Sequence, residues 1–262
     1  MPSISLTAVW DETRAYLTRE IGILIPVALG TIGLATVILS LATPEQAAGS
    51  AVQPGPWMLW LIPWLLLLTL GGLALSALAI IPGISVREAL TRAASRLGHA
   101  VGVTLLLGFA ATLLVLLVGS ALGIVGRVAG LAANQAAAFG IVVALPLIFL
   151  LAVRFLFLFP ALIDQKGAIA ALRASWRASA PCQWRLMLLW IGIGAVSLLL
   201  LAAVEYGVGS LLLLLARALG DPRLGELLVQ LVVAFVSSLI QLATISYFAR
   251  LYWCASGSSS GI

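Results

Sequence analysis

Long apolar stretches alternate with short polar ones along this chain, and the apolar windows fall at roughly 21–42, 57–81, 101–125, 137–160, 186–215 and 225–252. Each is long enough to supply the ~20 residues that an α-helix needs to cross the hydrocarbon layer of a bilayer. The pattern therefore predicts an all-α, polytopic integral membrane helical bundle of about six transmembrane helices. An even number of spans returns both termini to one side.

The polar intervals are of two kinds. TPEQAAGSAVQPGP (43–56) and RALGDPR (217–223) are rich in turn formers and read as connections. Segments 5–20, 84–100 and 165–185 keep a helical period instead, and read as surface helices. In ISVREALTRAASRLGHA the apolar Val86, Leu90, Ala93 and Leu97 recur at i, i+4, i+7 and i+11, with Arg87, Arg92, Arg96 and His99 off that stripe, which makes an amphipathic helix. Ser85 and Glu88 have the spacing of a capping box, directly after the helix-ending Pro82 and Gly83. In the third segment Ile169, Leu172 and Trp176 share a stripe, while Arg173 and Arg177 stack at i, i+4. Aligning EALTRAASR (88–96) with AALRASWRA (170–178) pairs Ala89 with Ala171 and Leu90 with Leu172, and LTAVWDETRAYLTRE also precedes a span. The chain reads as a three-fold repeat of surface helix plus transmembrane hairpin, or as one physical design used three times without common ancestry.

Charge orients the spans. If the N-terminus, segments 82–100 and 160–185, Arg154 and the C-terminal end share one side, that side holds eleven of the fourteen Lys and Arg residues, leaving Arg127, Arg217 and Arg223 opposite. Basic loops stay inside, so that side is expected to be cytoplasmic. It carries eleven basic against five acidic residues, a net charge of +6; the other side, with Glu45, Glu205, Asp221 and Glu226, comes to −1, and the two make the chain's +5.

Composition agrees with the pattern: 63% of residues are hydrophobic and 9% charged, where a soluble domain carries roughly a quarter charged. The expected organisation is a single integral membrane domain over 1–255 with a flexible tail at 256–262, and no second soluble domain. The first apolar run begins near Ile21 behind the mixed-charge WDETRAYLTRE and is too long for a signal core, so a permanent span is expected there.

One segment also carries a resemblance. RFLFLFPALIDQKGAIAALRASWRASAPCQWRLML, with its R-x5-P, a short acidic-to-Gly turn and then A-L-R-x-S-W, resembles the signature segment of six-span bacterial membrane proteins related to the membrane domain of glycerophosphoryl diester phosphodiesterases. The preceding SVREAL helix is similar to an earlier loop of that family. The matching positions are Arg154, Pro160, Gly167, Ala171, Leu172, Arg173, Ser175 and Trp176. For them the resemblance implies architecture and no catalytic role. In the full-length phosphodiesterases the reaction belongs to a separate soluble barrel with metal-binding acidic residues and histidines, for which these 262 residues have no counterpart. Glycerophosphodiester hydrolysis is therefore not expected.

Other chemistry is sparse. A single histidine, His99, cannot build a multi-histidine metal centre, and there is no Walker loop or H-E-x-x-H. Gly257, Ser259 and Gly261 spell G-x-S-x-G in a terminal tail, where a nucleophile elbow has no strand or helix around it. Cys182 and Cys254 have neither metal-knuckle nor disulfide spacing. Arg154 and Glu205 are the ionisable residues inside the apolar runs; near span ends, both read first as interfacial, with Arg154 snorkelling to phosphates. Pro26, Pro63 and Pro146 read as kinks, Gly119 with Gly123 and Gly72 with Ser76 as small-residue contacts, and Trp57, Trp60, Trp184 and Trp190 as interfacial anchors.

These readings leave no catalytic residue, no metal, no cofactor and no nucleic-acid partner expected. The candidate contact for anionic lipid is the basic cluster Arg154, Lys166, Arg173, Arg177 and Arg185. The favoured function is a non-enzymatic inner-membrane protein with an envelope-related role, whose basic cytoplasmic surface meets anionic lipid, a protein partner or another copy of the chain. The alternative is a small transporter or channel subunit.

Overall fold

The computed structural model describes residues 6–43, 55–130, 132–165 and 167–256. The chain is all-α, with no strand among the described residues. Six helices are long and apolar enough to cross a membrane, at Thr7–Ala42, Pro56–Ile80, Val86–Val128, Ala138–Asp164, Ala168–Ala218 and Arg223–Ala255, and the protein is a multi-pass membrane protein. The first, third and fifth each begin as a polar helix and continue into the apolar part without leaving helical structure.

In chain order the elements are α1 (Leu6–Ala28), a π turn (Leu29–Gly33), α2 (Leu34–Ala42), a 3-10 turn (Pro56–Trp60), α3 (Leu61–Ile80), α4 (Val86–Val128), α5 (Ala133–Arg154), α6 (Leu158–Asp164), α7 (Ala168–Ser179), a 3-10 turn (Ala180–Cys182), α8 (Gln183–Ala203), a second π turn (Val204–Val208), α9 (Gly209–Ala218) and α10 (Pro222–Ala255). Pro26 and Pro146 lie within helices, but Pro63 falls in the first turn of α3, where its missing amide costs nothing.

Two compact units form, Met1–Leu97 with Ile191–Ile262, and Gly98–Trp190. In the first, α10 packs against α1, α2, α3, α9 and the first π turn. Small residues set the spacing. A Cβ on Gly71 would clash with the Thr31 hydroxyl and lie 2.9 Å from Ile32 Cγ1, so only glycine lets α3 meet the π turn this closely. Gly33 faces Ser238 in the same way, at 3.0 Å. The buried hydroxyls of Thr31, Ser76 and Ser238 donate to carbonyls four residues back, at 2.6, 2.7 and 2.6 Å. Each is satisfied within its own helix, so at these contacts the helices associate through close packing.

The turn-rich 217–223 builds a tight cap. Gly220 takes φ +81°, its amide donates to Arg217 O, and the Asp221 amide donates to Ala216 O, closing α9 with a Schellman motif. Asp221 then caps α10 by accepting from the Leu224 amide at 3.3 Å. At the start of α4 the expected capping box forms: the Glu88 amide donates to Ser85 Oγ, and the Ser85 amide donates to Glu88 Oε2. The Ser85 amide, followed by its hydroxyl, holds the Glu88 carboxyl below the usual carboxylate range. The loop of 43–56 lies largely outside the described residues, as does the 257–262 part of the tail.

In the second unit a Cβ on Gly140 of α5 would run into the Gly119 carbonyl of α4, with the Gly119 Cα 3.1 Å away. Gly119 is thus a contact residue, and its partner is Gly140. The span expected over 137–160 runs through Pro160 to Asp164, but with a break inside it. α5 ends at Arg154, residues 155–157 bend the chain, and Pro160 lies in the first turn of α6, where proline is tolerated.

Candidate basic surface site

The bend after Arg154 lets α7 pack against α6 and the end of α5, within the second unit. The side of α7 that packs is a stripe of small residues, Ala171, Ser175 and Ser179, all fully buried. These recur at i, i+4 and i+8, and their small volume lets α7 approach closely. Ile169 and Trp176 stay exposed, at 67% and 45%. So Ile169 and Trp176 of the sequence stripe do not form the packed face; they are left on the outside with the exposed Arg173 and Arg177, while Leu172 is half-buried. The first polar helices follow the same rule. Ala89 and Ala93, aligned with Ala171 and Ser175, are fully buried in α4, as are Val9 and Thr13 in α1.

Ser175 donates to the carbonyl of Arg154 at 2.9 Å, and Ser179 shares its one proton between that carbonyl at 3.2 Å and Trp176 O at 3.1 Å. The Arg154 carbonyl belongs to the last residue of α5, one of the helix-end acceptors that have no intrahelical donor. The Arg154 guanidinium lies over the Trp176 ring at 4.7 Å, and Phe155 meets the same ring at a tilt, 6.0 Å between centroids. One guanidinium nitrogen, Nη1, is buried without a hydrogen-bond partner among the described residues. Arg154 therefore does not simply extend toward phosphates as the sequence suggests. It is held at its backbone by two serines and over its head by an indole, with donor capacity left over.

Of the other expected contacts, Arg173 and Arg177 stand on the outer face of α7 on either side of Trp176, and Arg185 is exposed in the first turn of α8. None of the three makes an ion pair among the described residues, where the two pairs are Arg19 with Glu20 and Arg250 with Glu12. Lys166 lies outside the described residues. Trp184 is exposed, whereas Trp190 stacks on Phe149 at 4.9 Å. Glu205 is exposed within the second π turn, and α9 continues ten residues beyond that turn, so Glu205 does not mark the end of its helix.

A second charged cluster, in the first unit, is not legible in the sequence. Arg250, near the end of α10, pairs with Glu12 of α1 and lies over the Tyr16 ring at 4.4 Å. Its Nε and the nearby Ser246 hydroxyl are buried without partners among the described residues. Trp10 packs on Tyr247 beside it, at 5.9 Å. Cys182 and Cys254 are both free. No group of three His, Cys, Asp or Glu residues able to hold a metal occurs among the described residues. Comparison of the chain with family models, curated proteins and solved structures gives no match.

Proposed function

We propose that this chain is a non-enzymatic protein of a bacterial inner membrane, with both termini cytoplasmic, whose basic inner surface binds the headgroup of an anionic phospholipid in an envelope-related role. The observation that carries this reading is the unsatisfied, indole-backed guanidinium of Arg154 beside the free cations of α7. A phosphate diester supplies several acceptor oxygens and negative charge, which this donor set lacks. Trp176 and Ile169, exposed on the same helix, suit the border between headgroups and acyl chains. Each basic residue near an anionic leaflet is worth about 1 kcal/mol, so Arg154, Arg173, Arg177 and Arg185 together supply several kcal/mol at low salt. The likeness of this segment to the membrane domains of glycerophosphoryl diester phosphodiesterases belongs to the same proposal and is consistent with a lipid-facing role without catalysis.

The test is the double substitution Arg173→Gln and Arg177→Gln, which keeps length and helix propensity while removing two charges. Lipid-resolved mass spectrometry of the purified protein is expected to show less co-purified anionic phospholipid with the helical content retained. An unchanged lipid profile reduces the cluster to topological anchoring.

A further inference from the structure

The first unit contains a pocket of about 120 Å³, far more than the ~10–15 Å³ needed to hold a single water. Three segments line it: the middle of α1 from Tyr16 to Leu24, the end of α3 with the turn 81–84, and α10 at Arg250. Gly83 makes that turn with φ +72°, bringing Ile84 onto the pocket wall. In α1 the change from charged to apolar sequence occurs at Glu20 and Ile21, so the pocket lies where the polar lead of a span gives way to oil. Its polar wall is Arg19, Glu20 and Arg250, and its apolar wall includes Ile23, Leu78 and Ile84.

We propose that this pocket seats the headgroup of a zwitterionic, ethanolamine-type phospholipid. The site is separate from α7 and does not use Arg173 or Arg177. Its charges are balanced, because Arg250 is neutralised by Glu12 and Arg19 by Glu20. A net anion therefore gains little here, whereas a dipolar headgroup can place phosphate oxygens against the guanidinium groups and its ammonium against Glu20. Arg250 already has its charge paired yet keeps a buried Nε–H without an acceptor, which a phosphate oxygen would satisfy. The apolar wall fits the glycerol and first acyl carbons, and this favours a lipid over free phosphoethanolamine.

The experiment is native mass spectrometry on the purified, delipidated full chain, titrated with phosphatidylethanolamine or phosphatidylglycerol. Ile23→Trp fills the pocket from a position 46% exposed, and Arg19→Gln removes one cation at a side chain 76% exposed, which carries the test should the bulkier variant fail to fold. Each folded variant is expected to retain about tenfold less phosphatidylethanolamine while phosphatidylglycerol binding is unchanged. Wild-type retention of phosphatidylethanolamine in a folded variant, a parallel fall in phosphatidylglycerol, or displacement of the bound lipid by millimolar free phosphoethanolamine overturns the proposal.

Discussion

Replacing Ser175 and Ser179 by alanine tests how the turn between α5 and α7 is held. Both hydroxyls donate to the Arg154 carbonyl, at 2.9 and 3.2 Å, from side chains with no solvent exposure. Removing one leaves the other in place, and a single interhelical hydrogen bond in membrane proteins averages ~0.6 kcal/mol, so each single variant is expected to lose no more than about that. Removing both leaves the carbonyl at the end of α5 without these donors in a partly buried site, where an unsatisfied acceptor costs ~1–3 kcal/mol. At the middle of that range, ~2 kcal/mol, against at most ~1.2 kcal/mol for the two singles together, the double variant should exceed the sum by roughly 0.8 kcal/mol. Unfolding in mixed micelles with increasing dodecyl sulfate, followed by far-ultraviolet circular dichroism, measures all four corners of the cycle. Strict additivity would refute the shared-acceptor account, and so would a double variant as stable as the wild type.

Three further outcomes are expected. Gly71→Ala places a methyl against Thr31 and Ile32 and should destabilise by ~1–3 kcal/mol, whereas Gly22→Ala, with nothing within 4 Å of the added Cβ, should be neutral or slightly stabilising; the same unfolding assay compares them. At the α4–α5 crossing the effect should be one-sided, with Gly140→Ala meeting the Gly119 backbone and destabilising, while Gly119→Ala meets open space and does little. In a variant lacking Cys182 and Cys254, a cysteine at Ser50 should react with an impermeant reagent from outside the cell and one at Ser95 should not; the reverse pattern ends the proposed orientation.

The class of fold was legible because membrane crossing imposes a one-dimensional rule: an apolar run of sufficient length must be helical. The capping box at Ser85 and Glu88 and the turn at 217–223 were legible because their interactions are local. Packing was not, because choosing a face requires knowing the neighbour. On α7 the conspicuous Ile169 and Trp176 suggested a stripe, yet the small Ala171, Ser175 and Ser179 make the contact, since without water between helices large side chains gain nothing over lipid. Gly119 stood out through its G-x-x-x-G spacing, but Gly140, its partner, belongs to no such motif. The pairing of Arg250 with Glu12 joins residues 238 positions apart and leaves no trace in local pattern. The candidate basic cluster was legible as a set of charges, and what the structure adds is that Arg154 is braced by Ser175, Ser179 and Trp176 rather than merely extended.

The central claim is selective contact with anionic headgroups, and the most direct measurement is the phospholipid content of the wild-type protein extracted with its native lipid shell. Mass spectrometry of that shell, set against the bulk membrane, should show anionic phospholipid enriched around the protein, with the enrichment falling as salt is raised, because the attraction from Arg173, Arg177 and Arg185 is screened. A shell of the same composition as the bulk membrane at every salt concentration would contradict the account.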